Sequence, residues 1–293
     1  MRQLPDTFAP DAVARVDALL DDMVERHGVA IPLAIESGSR AWGFPSPDSD
    51  YDCRFVYVRR GEDYLSPWDV RDVLESAPDG VLDVNGWDLR KAVQLLVRGN
   101  ATVPEWAGSP LVYRGDAVFR RDLLALADRV ADRARVATHY AHLGQTQWAK
   151  FLTDAGRMPL KKLFYALRPA LAVLWLREHP TSAVPPMRLQ DLVAQAPLAA
   201  PTVRAVEDLV ALKATTRELG VGEVPAPIRT LVERELRHED WMSVRRSPAA
   251  VAAAREDAAA FFRDAVRTYG SRRPGPAGAA AGTPAGTAAV GAA

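Results

Sequence analysis

Residues 31–58, IPLAIESGSRAWGFPSPDSDYDCRFVYV, constrain this chain more than any other stretch. They open on an apolar run, Ile31 to Ile35, of the length of a buried strand. Gly38-Ser39 stands just beyond it, and Gly43, Pro45 and Pro47 break regular structure in the loop that follows. Asp50-Tyr51-Asp52 then leads into Phe55-Val56-Tyr57-Val58, a β-branched and aromatic run that reads as a second strand. Alternate residues of a strand face the same side, so Asp50 and Asp52 project together. Carboxylates held side by side repel, and they are tolerated mainly where a cation sits between them. A hard dication such as Mg2+ takes oxygen ligands and typically brings substrate phosphates as further ligands. Gly38 has no Cβ, so backbone there can approach a phosphate closely. The Ser39 hydroxyl and nearby N–H groups can donate to phosphate oxygens.

Gly38-Ser39, ten intervening residues and Asp50-Tyr51-Asp52 resemble the core motif of the DNA polymerase β-like nucleotidyltransferase superfamily. The longer string from Gly38-Ser39-Arg40-Ala41-Trp42-Gly43-Phe44 to Ser49-Asp50-Tyr51-Asp52-Cys53-Arg54 is more specific. It resembles the RlaP-like predicted nucleotidyltransferases found beside RNA-repair ligases. The likeness continues in Gly86-Trp87-Asp88-Leu89-Arg90-Lys91, Glu105-Trp106 and Ser109-Pro110 to Tyr113, and departs at Ala101, where the family usually has proline. Asn100 and Glu105 are expected to brace that loop. The resemblance implies an α+β fold: a small mixed-sheet, polymerase β-like palm domain over residues 1–114, then an all-α substrate-binding domain over 115–270. It implies Mg2+ as cofactor, two ions held by Asp50 and Asp52, with Mn2+ as a substitute. It implies an NTP as donor, Gly38, Ser39 and Arg40 as nucleotide-binding residues, and an RNA end as acceptor. An RNA ligase is then the functional partner. Small-molecule or protein hydroxyls as acceptors, and a degenerate nucleotide-binding module without turnover, stand as alternatives.

Such a fold uses a third carboxylate from a neighbouring strand. Val81-Leu82-Asp83-Val84-Asn85-Gly86-Trp87 reads as that strand, and an amphipathic helix follows from Asp88 to Arg98. Asp88 suits the helix N-cap position, which by itself explains an aspartate there. Asp83 sits in the strand body, an unfavourable place for aspartate without a partner. Asp83 is therefore favoured as the third catalytic and metal-binding carboxylate, with Asp88 in reserve.

The rest of the chain is largely helical in pattern. Residues 11–27 form an amphipathic helix with Pro10 before it and Gly28 after. Trp68 to Ser76 reads as a short helix. From Asp116 onward, helical stripes run over 117–133, 135–153, 160–179, 187–196, 201–219, 225–239 and 248–268. In the helix at 160–179, Lys161, Tyr165 and Arg168 share one face, opposite Leu163, Leu167, Leu171 and Leu174. Two cations and a phenol on one stripe suit a triphosphate and a stacked base. The string Leu160-Lys161-Lys162 to Leu167-Arg168-Pro169 also resembles the family, and the choice between Lys161 and Lys162 stays open. Trp42, beside the phosphate loop, is the tryptophan placed to touch a base. His139 and His142 lack companions for a zinc set and read as ordinary packing or surface residues. Residues 271–293 are low-complexity Ala, Gly and Pro and are expected to be a disordered tail.

Composition narrows the classes further. Lys+Arg and Asp+Glu both total 37, which argues against bulk attraction to duplex nucleic acid but leaves room for a local basic groove. The single cysteine, Cys53, rules out an intramolecular disulfide and fits a reducing compartment. The N-terminal residues carry no apolar secretory signal, and no run of 18 apolar residues occurs. A cytoplasmic protein without membrane partners is expected.

Overall fold

The structure, a computed structural model, describes residues 1–77, 79–217, 219–237, 241 and 244–271. Nearly all of the expected tail lies outside the described residues. A five-stranded mixed sheet forms the first half, from β1 (Ala30–Glu36), β2 (Tyr51–Val58), β3 (Val73–Glu75), β4 (Leu82–Asp88) and β5 (Val112–Gly115). Their spatial order is β3-β4-β2-β1-β5. β1 pairs antiparallel with β2 and β5, β3 antiparallel with β4, and β2 parallel with β4. A crossover therefore separates the two parallel strands that occupy the middle.

α1 (Pro10–His27) covers one face of the sheet, and a single helical turn, α2 (Gly38–Ala41), follows β1. Pro10 takes the first helical position, and Gly28 ends the helix at φ 61°. Its buried stripe Ala12, Val16, Leu20 and Met23 packs among Cys53, Phe55, Tyr57 and Val84. Each fully buried Val or Leu side chain there is worth about 1.5–3 kcal/mol relative to exposure. The period of two along β2 then assigns Asp52, Arg54, Val56 and Val58 to the opposite face. Val56 and Val58 belong to the larger core, shared with α3 (Leu89–Val97), α4 (Thr102–Gly108) and α5 (Ala117–Val130). Asp52 and Arg54 lie at the end of that face.

The second half is helical, built on α6 (Arg133–Phe151) and α7 (Leu160–Glu178). These two pack closely at Gly144, where a Cβ would stand 2.7 Å from Leu236 and 3.3 Å from Pro169. Pro169 sits inside α7, which remains one element. α8 (Leu189–Ala194), α9 (Ala200–Thr215) and α10 (Ala226–Glu235) complete this half, with a two-stranded ribbon of β6 (Arg157–Pro159) and β7 (Val221–Glu223). The last described helix, α11 (Pro248–Tyr269), returns to the first half and packs on α3, α5 and β2. Among the described residues no helix is long and apolar enough to cross a membrane.

One expectation fails. Trp68 to Ser76 is not helical: Val73–Glu75 is the edge strand β3, and Trp68 is exposed. Nine residues make a marginal helix alone. The open side of β4 offers a ladder instead, with Ser76 N–H donating to the Val84 carbonyl at 2.9 Å and Asp88 N–H to that of Asp72 at 2.9 Å.

Candidate active site

The end of β1 fixes the site. After Glu36 the chain turns through Ser37 and Gly38, whose φ is 57°. The Ser37 N–H donates to the Asp52 carbonyl at 2.9 Å, so the turn is laced to β2 at the aspartate itself. A Cβ on Gly38 would collide with the Asp52 carboxylate. Glycine is required here twice, for the left-handed backbone and for the close approach.

The parallel register of β2 and β4 places Asp83 directly beside Asp52, whereas Asp88 pairs with Tyr57 at the far end of the strands. Asp88 is buried, caps α3 by accepting from Arg90 N–H at 2.7 Å, and is held by Arg59 and the Tyr64 hydroxyl. Every oxygen of Asp88 is thus committed to structure, and the geometry corrects its reserve role as a catalytic carboxylate. Asp83 is exposed and faces the cleft.

Asp50, Asp52 and Asp83 form one electrostatic unit. Burial raises the Asp52 carboxyl above the ordinary carboxylate range, the charges of Asp83 and Asp50 push it further, and Arg54 and Arg40 oppose them. The Arg54 guanidinium lies between two of these groups, donating to Asp52 Oδ1 at 3.1 Å and Asp83 Oδ2 at 2.7 Å. It also donates to the Asp83 carbonyl at 2.8 Å. Among the described residues no three His, Cys, Asp or Glu side chains are already gathered around one point. The donor set nevertheless suits a hard dication: three carboxylates, one of them partly buried and held against its neighbours only by an internal cation.

Sequence reasoning missed Glu36. It is fully buried and accepts from Asp52 N–H at 3.1 Å and from the Tyr113 hydroxyl at 2.6 Å. Burial pushes its carboxyl up to about 7, against the lowering effect of those two hydrogen bonds. The available signal was a glutamate closing an otherwise apolar strand, AIPLAIE, immediately before the glycine turn.

A cleft of about 570 Å3 opens over Gly38, Asp52 and Asp83, walled by Trp42, Trp87 and Trp106 and by Tyr165 of α7. Tyr165 meets Trp42 edge-on, with ring centroids 5.7 Å apart. Two buried polar atoms of its lining residues, Trp42 Nε1 and Gln147 Oε1, have no hydrogen-bond partner among the described residues. An unpaired buried polar group is costly unless a ligand or water completes it.

The expected nucleotide-binding residues separate into groups. Gly38 and Tyr165 line the cleft. Arg168 also lines it, but it is buried rather than on an open stripe: it donates to Glu105 Oε1 at 2.8 Å and to the Met187 carbonyl at 2.8 Å. The wider apolar surface of α7, buried on nearly all sides, overrides the two-faced pattern read from the sequence. Glu105 in turn accepts from Tyr140, and the Asn100 side chain accepts from Thr102 N–H, so both brace the structure. Arg40 turns away from the cleft to the carbonyls of Ser49 and Asp50 and stacks on Tyr51 at 3.9 Å. The Ser39 hydroxyl donates to Ser49 at 2.9 Å. These two residues stitch the turn to the start of β2. Lys161 and Lys162 stand outside the cleft lining, with Lys162 Nζ 5.2 Å from the Tyr165 ring; Lys161 adds a small part to the lowering of the Asp48 carboxyl, which a Ser46 hydrogen bond chiefly causes. Asp50 opens onto an adjoining groove that it shares with Asp83.

Comparison with known proteins adds two findings. Residues 13–264 match the family model described as RlaP, the RNA repair pathway DNA polymerase beta family. The chain is also 36% identical over 213 residues to the uncharacterized protein YcgL of Bacillus subtilis (strain 168), covering 72% of this chain and 80% of that protein.

Proposed function

We infer the activity from one premise: the chain belongs to the RNA repair pathway DNA polymerase β family, RlaP. The reading it supports is transfer of a nucleotidyl group from an NTP to an acceptor hydroxyl, with an RNA end as the acceptor. The observation that carries it is the register pairing of Asp52 with Asp83 beneath the Gly38 turn. Asp50, Asp52 and Asp83 are the residues that hold two Mg2+ ions, or Mn2+. Those ions, when bound, supply charge neutralisation at the α-phosphate and a lowered pKa for the attacking hydroxyl.

The chain's own groups do the rest. The acceptor oxygen attacks the α-phosphorus, the bond to the β-phosphate oxygen breaks, and pyrophosphate leaves. The Asp83 carboxylate accepts the hydroxyl proton. Gly38 leaves room for the outgoing phosphates beside its backbone N–H. Arg54 exchanges Asp52 and Asp83 for phosphate oxygens, and Lys161 or Lys162 approaches the same charge from α7. Trp42 and Tyr165 flank the base, whose polar edge completes Trp42 Nε1 and Gln147 Oε1. An RNA ligase acting in sequence is the functional partner of this reading, and the cytoplasm its setting. A nucleotide-binding module without turnover is the second reading, favoured by Arg54 filling the gap between the carboxylates.

Labelled NTPs incubated with Mg2+ and, separately, RNA, protein and aminoglycoside-type acceptors decide between these. Label is expected in RNA alone. Asp50→Asn and Asp52→Asn are expected to lower transfer about 1,000-fold, about 4 kcal/mol of transition-state stabilisation, while retaining the fold. Full activity in either variant overturns the assignment. NTP binding with no transfer to any acceptor establishes the second reading.

A further inference from the structure

We propose that a groove lined by arginines between α3, α6 and α11 binds the backbone of a single-stranded RNA and leads its end to the carboxylate cleft. This rests on the nucleotidyl-transfer reading for its purpose, but on separate residues for its evidence.

The chain as a whole is neutral, yet one groove is not. Arg90, Arg98, Arg135, Arg245, Arg246 and Arg255 line it, and among the described residues Asp132 is the one acid in that lining. Asp132 is itself buried; it caps α6 by accepting from Arg135 N–H at 3.2 Å, and its other oxygen pairs with the Arg135 guanidinium at 3.6 Å. Arg98 and Arg255 are exposed and have no carboxylate partner among the described residues. Concentrating cations at one place in a neutral chain costs mutual repulsion, and a polyanion relieves it.

The layout follows a strand rather than a point charge. Arg90, Gln94 and Arg98 recur every four residues along α3, a span of about 12 Å at 1.5 Å per residue. Between the cations the floor is apolar, with Val93, Val97, Ala258 and Phe262. Phosphates on a cationic rim and bases against an apolar, partly aromatic floor are how single strands are held without sequence preference.

The groove also leads somewhere. Arg98, Arg135 and Arg245 are shared with a second hollow that contains His139, His142 and Trp241. Leu143 closes that hollow and at the same time lines the cleft over Asp52 and Asp83. The walls meet tightly at Gly99, where a Cβ would collide with that of Arg135. The arginine groove, the hollow and the carboxylate cleft therefore adjoin one another in series. The family's description places it in an RNA repair pathway, which favours RNA as the strand.

Fluorescence anisotropy of an end-labelled, mixed-sequence RNA of about 20 nucleotides, with EDTA and without NTP, reads the groove independently of turnover. The native protein is expected to bind it in a salt-dependent manner. The variant Arg98→Glu/Arg135→Glu/Arg255→Glu is expected to weaken binding at least about 30-fold and to lower the log–log salt slope by about two to three. Arg98→Gln and Arg255→Gln singly, each folded by its melting curve, are expected to lose a smaller share each. Binding by the triple variant within about twofold of native overturns the proposal, as does equal competition by DNA of the same sequence or by polyglutamate. Loss of RNA binding in the variants of a protein that transfers nothing to RNA keeps the groove and removes the activity reading. Undiminished transfer to RNA by the triple variant does the opposite.

Discussion

Asp52 and Asp83 stand opposite each other across the parallel strands, and the guanidinium of Arg54 is hydrogen-bonded to both. That arginine occupies the place where two acidic groups otherwise repel. It both stabilises the paired carboxylates and competes with any cation for them. Arg54→Gln is therefore expected to bind Mn2+ several-fold more tightly than the native protein, measured by titration calorimetry or electron paramagnetic resonance. Unchanged or weaker binding shows that Arg54 and the ion do not share those oxygens.

Gly38→Ala tests the contact between the turn and Asp52. The left-handed backbone alone costs alanine about 1 kcal/mol. The larger effect is displacement of the Asp52 carboxylate, which a Cβ would strike. Nucleotidyl transfer is expected to fall at least about 100-fold while the melting temperature drops only a few degrees. A variant that keeps its activity shows that this approach does not position Asp52.

Glu36 makes stability depend on pH in a defined window. Its carboxyl is pushed up in the folded protein, from the ordinary 4.5 to about 7. The folded state then binds more protons than the unfolded chain between these values. The corresponding stability is fully present below about 4.5 and is lost as pH rises through about 7. The total is about 3 kcal/mol. In EDTA, Glu36→Gln is expected to remove this descent from the denaturation profile between pH 4.5 and 7. An identical slope in the variant excludes Glu36 as its source.

Arg168 and the two lysines of α7 are expected to separate on stability. Removing one partner of a buried ion pair leaves the other charge uncompensated. Arg168→Met is expected to destabilise the fold by about 3–5 kcal/mol, read by urea unfolding. Lys161→Ala and Lys162→Ala, at surface positions, are expected to change stability by less than about 0.5 kcal/mol while weakening NTP binding. A stable Arg168→Met variant places that residue's role in the ligand instead.

Much of the palm was legible because it is written in local codes. Pro10 and Gly28 bracket α1, Gly38 marks a turn only glycine tolerates, and alternation along β2 assigns Asp52 to a face. The N-cap position of Asp88 already favoured Asp83, but the place of Asp83 beside Asp52 was not legible, because it depends on the register between two strands about 30 residues apart in sequence. Arg168 was misread for a related reason. Its helix is enclosed on nearly every side, and a sequence cannot say how many neighbours a helix will have. Glu36 escaped because a buried carboxylate is explained only by its partners, Tyr113 and the Asp52 amide, and both are distant in the chain. Residues 68–76 show the same limit, since the open side of β4 decides their conformation.

The return of α11 to the first half has a consequence for biosynthesis. Its packing on α3, α5 and β2 joins residues 248–269 to the strand that carries Asp52. A nascent chain that has emerged from the ribosome only as far as α10 already owns every acidic side chain discussed above, but it lacks one wall of the arginine groove. Synthesis thus proceeds from the carboxylate cleft toward the arginine groove, and the groove is completed last.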